Sequence, residues 1–119
     1  MGLIEPDNWE ENINYITKKL NKMQIVELLM SFFEMNEMPE ILAIAREKIN
    51  INGFILLKKK IFKFEISFLP NNNKTQLVLT LKYGKQKIEF TEKIEIVENN
   101  DNLEVYLTET KQYLFSIYF

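Results

Sequence analysis

Glu92 is the acidic side chain whose position most needs explaining. Around it Ile88, Phe90, Glu92 and Ile94 alternate with Glu89, Thr91 and Lys93. Side chains of a strand point to opposite faces in turn, so this alternation sets Glu92 in an apolar row between Phe90 and Ile94. An unpaired carboxylate on such a face is costly to bury. A bulge at Thr91-Glu92-Lys93, or a sheet curved enough to expose the acid, removes the cost and is the simpler expectation. The alternative is a carboxylate at the wall of a pocket, with Tyr83 as a second polar group.

The lysines form the other chemical feature. The 119 residues carry a net charge of −2, unevenly spread. Residues 1–50 hold nine acidic and five basic side chains, for −4. Residues 51–93 hold nine lysines and three glutamates, for +6, and residues 94–119 return to −4. A basic strand region between acidic flanks suits either a solvated surface that discourages edge pairing or a patch for an acidic partner. By strand parity one face carries Lys63, Lys82 and Lys93 among Ile61, Leu69, Val78, Val97, Tyr106, Leu114 and Tyr118. Tyrosine buries area at low entropic cost and is favoured at interfaces. Lys63, Val78, Lys82, Lys93, Tyr106 and Tyr118 are therefore the candidate binding residues.

Other chemistries are closed off by composition. Without cysteine there are no disulfides and no thiolate metal sites. Without histidine there are no Ser-His or Cys-His dyads and no imidazole ligands. Gly2, Gly53 and Gly84 stand too far apart for a phosphate loop, and Asn71-Asn72-Asn73 and Asn99-Asn100-Asp101 read as turns rather than calcium loops. No cofactor or metal is expected. Phe62-Lys63-Phe64 resembles the aromatic-basic interleaving of RNA-binding sheets, but neither spacing nor element order fits, so nucleic acid is not the expected partner. No segment approaches the ~20 apolar residues of a membrane span, and the start lacks a signal-peptide layout. A cytoplasmic protein is the expectation.

The elements that hold these residues follow from periodicity. Trp9, Ile13, Ile16 and Leu20 give a helix over about 9–20, with Asn8 and Glu11 or Asp7 and Glu10 as a capping box. Asn21 and Gln24 offer a second box, opening an almost wholly apolar helix over 22–35. Pro39 fits the first turn of a third helix that Asn50 to Gly53 would end. Strands follow at about 54–57, 60–69, 75–83, 86–97, 102–108 and 112–119. Gly84-Lys85 suits a two-residue type II′ turn, which places Leu81 opposite Ile88, Thr80 opposite Glu89 and Leu79 opposite Phe90.

The fold class expected is α+β in one domain: a helical part over 1–52, then a five- or six-stranded antiparallel meander over 53–119. Its element order is similar to that of cystatin-like and NTF2-like folds, where helices pack on a curved sheet; the likeness carries no motif and no residue roles. The expected function is a small non-catalytic protein-binding module, such as an inhibitor, an immunity or antitoxin protein, or a phage or host-defence factor, using the basic sheet face. One alternative is a ligand-binding or enzymatic pocket at Glu92. Another is self-assembly, such as a homodimer, through helix 22–35.

Overall fold

The computed structural model describes residues 2–3 and 9–119. Two helices, α1 (Trp9–Lys19) and α2 (Lys22–Phe32), pack on an eight-stranded antiparallel sheet. Its strands are β1 (Gly2–Leu3), β2 (Glu40–Arg46), β3 (Asn50–Leu57), β4 (Lys60–Asn71), β5 (Lys74–Tyr83), β6 (Gln86–Glu98), β7 (Asn102–Leu107) and β8 (Tyr113–Tyr118). β2 to β8 form a curled meander in chain order, and β1 pairs with the end of β6.

The α1 stripe is as expected: Ile13, Ile16 and Leu20 are fully buried. The expected caps at Asp7 and Asn8 lie outside the described residues. Asn21 caps α2, its side chain accepting from the Gln24 amide at 2.8 Å while Gln24 Oε1 accepts from the Asn21 amide at 2.9 Å. α2 stops three residues earlier than its apolar run. Glu34 takes a left-handed φ of 50°, and the Met35 amide reaches back to the Met30 carbonyl at 3.0 Å. This six-to-one bond is the Schellman closure, made here without the usual glycine. Ile25, Leu28 and Leu29 bury against the sheet.

The third helix does not exist; residues 40–46 are strand β2 and residues 50–57 are strand β3. Ile41, Leu42, Ile44 and Ala45 fit a helical stripe, but β3 supplies these backbone groups with cross-strand partners from Glu40↔Leu56 to Arg46↔Ile51. Gly53 is a packing requirement instead of a helix stop. A Cβ there would fall well inside contact distance of the Ala43 carbonyl oxygen, and 3.0 Å from Phe64 Cε1. Glycine inside a strand commonly marks such a close backbone approach.

The inner face carries Ile51, Ile55, Phe64, Ile66, Phe68, Leu77, Leu79, Ile94, Ile96, Leu103, Val105, Phe115 and Ile117, all in the core. The helices join the two ends of the meander across it. Arg46 of β2 donates to the Thr17 and Leu20 carbonyls at 2.8 and 2.7 Å, placing a cation at the negative end of α1. On the other side Tyr15 Oη donates to the Tyr118 carbonyl and Gln24 Nε2 to the Ser116 carbonyl of β8. Trp9 is a structural residue: its indole Nε1 donates to Thr75 Oγ1 at 2.7 Å. The molecule measures 44 × 26 × 24 Å.

Candidate binding surface

Turn chemistry aligns the lysines. The β5–β6 hairpin turns at Gly84-Lys85 with φ +58° at Gly84, and its register is Leu81↔Ile88, Thr80↔Glu89 and Leu79↔Phe90. The β4–β5 hairpin turns at Asn72-Asn73, with φ of 51° and 67°. Positive φ at both central residues is the type I′ geometry, which asparagine tolerates. Together these turns place Lys63 opposite Lys82, and Lys82 opposite Lys87. Phe54 of β3 extends the same row beside Lys63.

Like charges directly opposite destabilise a ladder, by roughly 0.2–1 kcal/mol per pair. The neighbouring row, Glu65-Thr80-Glu89, offsets part of this. Lys87 lies 3.6 Å from Glu89, while among the described residues Lys63 and Lys82 have no carboxylate within ion-pair distance. Towards the end of the sheet the offset disappears. The β3–β4 turn is Lys58-Lys59, Lys60 opens β4 after it, and Lys85 lies in the β5–β6 turn at the same end of the sheet. Lys58 and Lys59 have φ of 51° and 66°, the same type I′ geometry as the asparagine turn but with side chains that disfavour it. Ile61 and Phe54 stand exposed among them.

The expected binding residues all lie on the outer face, which no helix covers among the described residues, but they do not form one patch. Lys63 and Lys82 belong to the lysine row. Val78 lies opposite Thr91, and Lys93 opposite Gln76, further along the sheet. Tyr106 and Tyr118 sit on the last two strands. There Tyr106 meets Tyr113 edge-on at 5.7 Å and donates to Glu104 Oε2 at 3.2 Å. Burial, and then the Glu104 carboxylate, raise its phenol above the ordinary value. Glu104 also accepts from Asn99 Nδ2 at 2.6 Å, so this end is an acid-centred polar cluster.

The bulge expected at Thr91-Glu92-Lys93 is absent. The ladder runs unbroken through Leu77↔Glu92 to Thr75↔Ile94. Glu92 is partly exposed instead because β7 stops at Leu107, opposite Ile94, which leaves the side of β6 open at Glu92. Tyr83 is remote from it. Its ring packs on Phe62 at 5.1 Å, with Lys60 Nζ 5.4 Å from the ring centre. Shallow hollows lie at Asn99–Asn102 with Tyr118, along Glu10–Lys18, beside Trp9 and Thr75, and at Arg46–Lys48; neither Tyr83 nor Glu92 lines any of these. The described residues hold no group of three or more acidic side chains placed to bind a metal, and no helix is long and apolar enough to cross a membrane.

No family model, curated protein or solved structure matches this chain. Residue parity did not single out Lys58, Lys59, Lys87 or Phe54. The turn residues had a signal, a Lys-Lys-Lys run between two apolar strands. The row had half a signal: the Gly84-Lys85 register sets Lys87 opposite Lys82, while Lys63 opposite Lys82 depends on which two of the residues Pro70 to Asn73 make the turn.

Proposed function

We propose that this chain is a small non-catalytic protein-binding module that takes an acidic partner on the basic outer face of its sheet. The observation carrying this reading is the Lys63-Lys82-Lys87 row, a repulsive alignment kept on an uncovered face. Two paired lysine contacts that cost stability make physical sense where an anionic surface completes them. An inhibitor, an immunity or antitoxin protein, or a host-defence factor fits this size and charge distribution.

The test is capture from a nuclease-treated native lysate with the tagged chain and its Lys63→Glu/Lys82→Glu variant. One stoichiometric protein is expected with the first. At least a tenfold reduction, about 1.4 kcal/mol, is expected with the second or at raised salt. Equal capture by both would overturn the placement. A second reading keeps Glu92 as the polar group of a ligand site between helices and sheet, as in NTF2-like architecture. Its support is the unbroken register that holds the carboxylate on the inner row. Self-assembly through residues 22–35 has less behind it, since Ile25, Leu28 and Leu29 face the sheet.

A further inference from the structure

We propose that the open side of β6, residues Gln86 to Thr91, accepts an extended acidic segment of the partner as an added strand. This rests on the protein-binding reading and specifies its mode. β6 pairs with β5 from Gln86 to Ile94, whereas β7 reaches it only from Ile94 onward. Among the described residues the first half of β6 therefore has a neighbour on one side only.

The direction of its free backbone groups follows from the ladder. The Lys93 carbonyl faces β7, accepting from the Thr108 amide at 2.9 Å. Antiparallel strands turn alternate residues to alternate sides. Lys87, Glu89 and Thr91 therefore turn their amides and carbonyls to the open side. The inner side chains there are Ile88 and Phe90, 54% and 37% exposed, although their partners Leu81 and Leu79 are core residues. Phe32 at the end of α2 and its C-cap Phe33 pack on the Phe90 ring, with ring centroids 6.3 and 5.3 Å away. A new strand would cover both residues with its own apolar side chains.

The other edges are differently furnished. β8 has its Ser116 and Tyr118 carbonyls occupied by Gln24 and Tyr15. β2 is broken by a register shift between Ile41 and Ala43, a common way to spoil an edge. β6 has neither device here.

Charge decides the occupant. The outer side chains along the open side are Lys85, Lys87, Glu89, Thr91 and Lys93. A second copy brings the same lysine-rich edge: centred on Glu89 it sets Glu89 against Glu89 and Lys85 against Lys93, and centred on Ile88 it matches Lys87 with Glu89 but leaves Lys85 and Lys93 without a carboxylate. A strand with an acidic residue opposite Lys87, an uncharged polar residue opposite Glu89 and apolar residues between them meets Lys87 with a carboxylate without opposing Glu89, and covers Ile88 and Phe90 with apolar groups. Strand addition of this kind takes affinity from main-chain bonds and specificity from alternate side chains.

The probe is a labelled peptide of about eight residues, a common strand length, alternating glutamate with valine but with serine in place of the glutamate that would face Glu89. Comparators are its lysine-valine counterpart, a single-stranded DNA oligonucleotide and phosphatidylserine vesicles. The glutamate peptide is expected to bind and to slow amide exchange at Lys87, Glu89 and Thr91 in the unaltered chain. Thr91→Pro removes one outward amide without touching the β5 ladder, and Ile88→Lys spoils the apolar contact; each should weaken binding about tenfold. Binding without amide protection, or unchanged by both variants, overturns strand addition. If Lys63→Glu/Lys82→Glu still weakens it, the basic-face reading survives; if no variant matters, both fall. Equal competition by the oligonucleotide or vesicles, or self-association of the chain, also overturns it.

Discussion

Gly53→Ala tests the replacement of a helix by strand β2 most directly. In a strand interior, alanine is ordinarily better than glycine by roughly 0.5–1 kcal/mol, since glycine loses more freedom on folding. Propensity alone therefore predicts stabilisation. The structure predicts the opposite. The added methyl would overlap the Ala43 carbonyl and come within 2.9 Å of its carbon and 3.0 Å of Phe64 Cε1. The carbonyl belongs to backbone, so the whole edge strand must retreat. Phe64 is fully buried and has little room to give. Overpacking of this kind costs about 1–3 kcal/mol, and a weakened ladder bond adds about 1. After the propensity gain the net loss is about 1–3.5 kcal/mol. In urea, with a slope of about 1.5 kcal/mol/M, the midpoint should fall by about 0.7–2.3 M. Gly84→Ala is the control: Gly84 has φ +58° and open space around it, so only its backbone conformation is penalised. Its loss should be about 1 kcal/mol. An unchanged or raised midpoint for Gly53→Ala would refute the close approach of β2.

Two further outcomes follow from turns and titration. Replacing Lys58 with asparagine and Lys59 with glycine should stabilise the chain by about 1–2 kcal/mol in urea unfolding, because both positions are left-handed; no gain would mean the turn stores no strain. Tyr106 has a raised folded-state value, so its contribution is complete below the unfolded tyrosine pKa of about 10 and is lost as pH rises through the folded one. Tyr106→Phe should therefore flatten the alkaline limb of stability against pH, and an identical limb would refute the Glu104 contact as its cause.

Legibility in the sequence tracked how local the deciding interaction was. The α2 cap was readable because Asn21 and Gln24 satisfy each other within one turn. The β5–β6 register was readable because Gly84-Lys85 admits one turn geometry and apolar residues then meet apolar residues. Residues 39–50 misled because proline, leucine, alanine, glutamate and arginine suit a helix, while the strand is decided by pairing with β3 and by the space over Gly53. The early end of α2 had no signal, since Glu34 fills the left-handed position usually given to glycine. At the surface, parity found the face that bears Lys63 and Lys82 but not their alignment. The open side of β6 was invisible, because it depends on where β7 stops.

Stability and exposed cost lie at different ends of this molecule. The helix-covered end is tied by Trp9 to Thr75, by Arg46 to the α1 carbonyls, and by Tyr15 and Gln24 to β8. The hairpin end keeps two left-handed lysines and two opposed lysine pairs. Each is a small penalty, and together they come to roughly 2–4 kcal/mol. Asparagine and glycine at the Lys58-Lys59 turn together with one glutamate in the row would remove most of it. The Asn72-Asn73 turn has the same geometry without lysine, so the fold does not demand lysine there. The penalties also converge: the lysine turn, the row and the open side of β6 occupy one end of one sheet. Selection for stability alone would not keep them together. An acidic partner strand along β6 would meet Lys87 directly, and the lysines of β5, β4 and the β3–β4 turn, one to three strands further in, would face the same partner across the outer face.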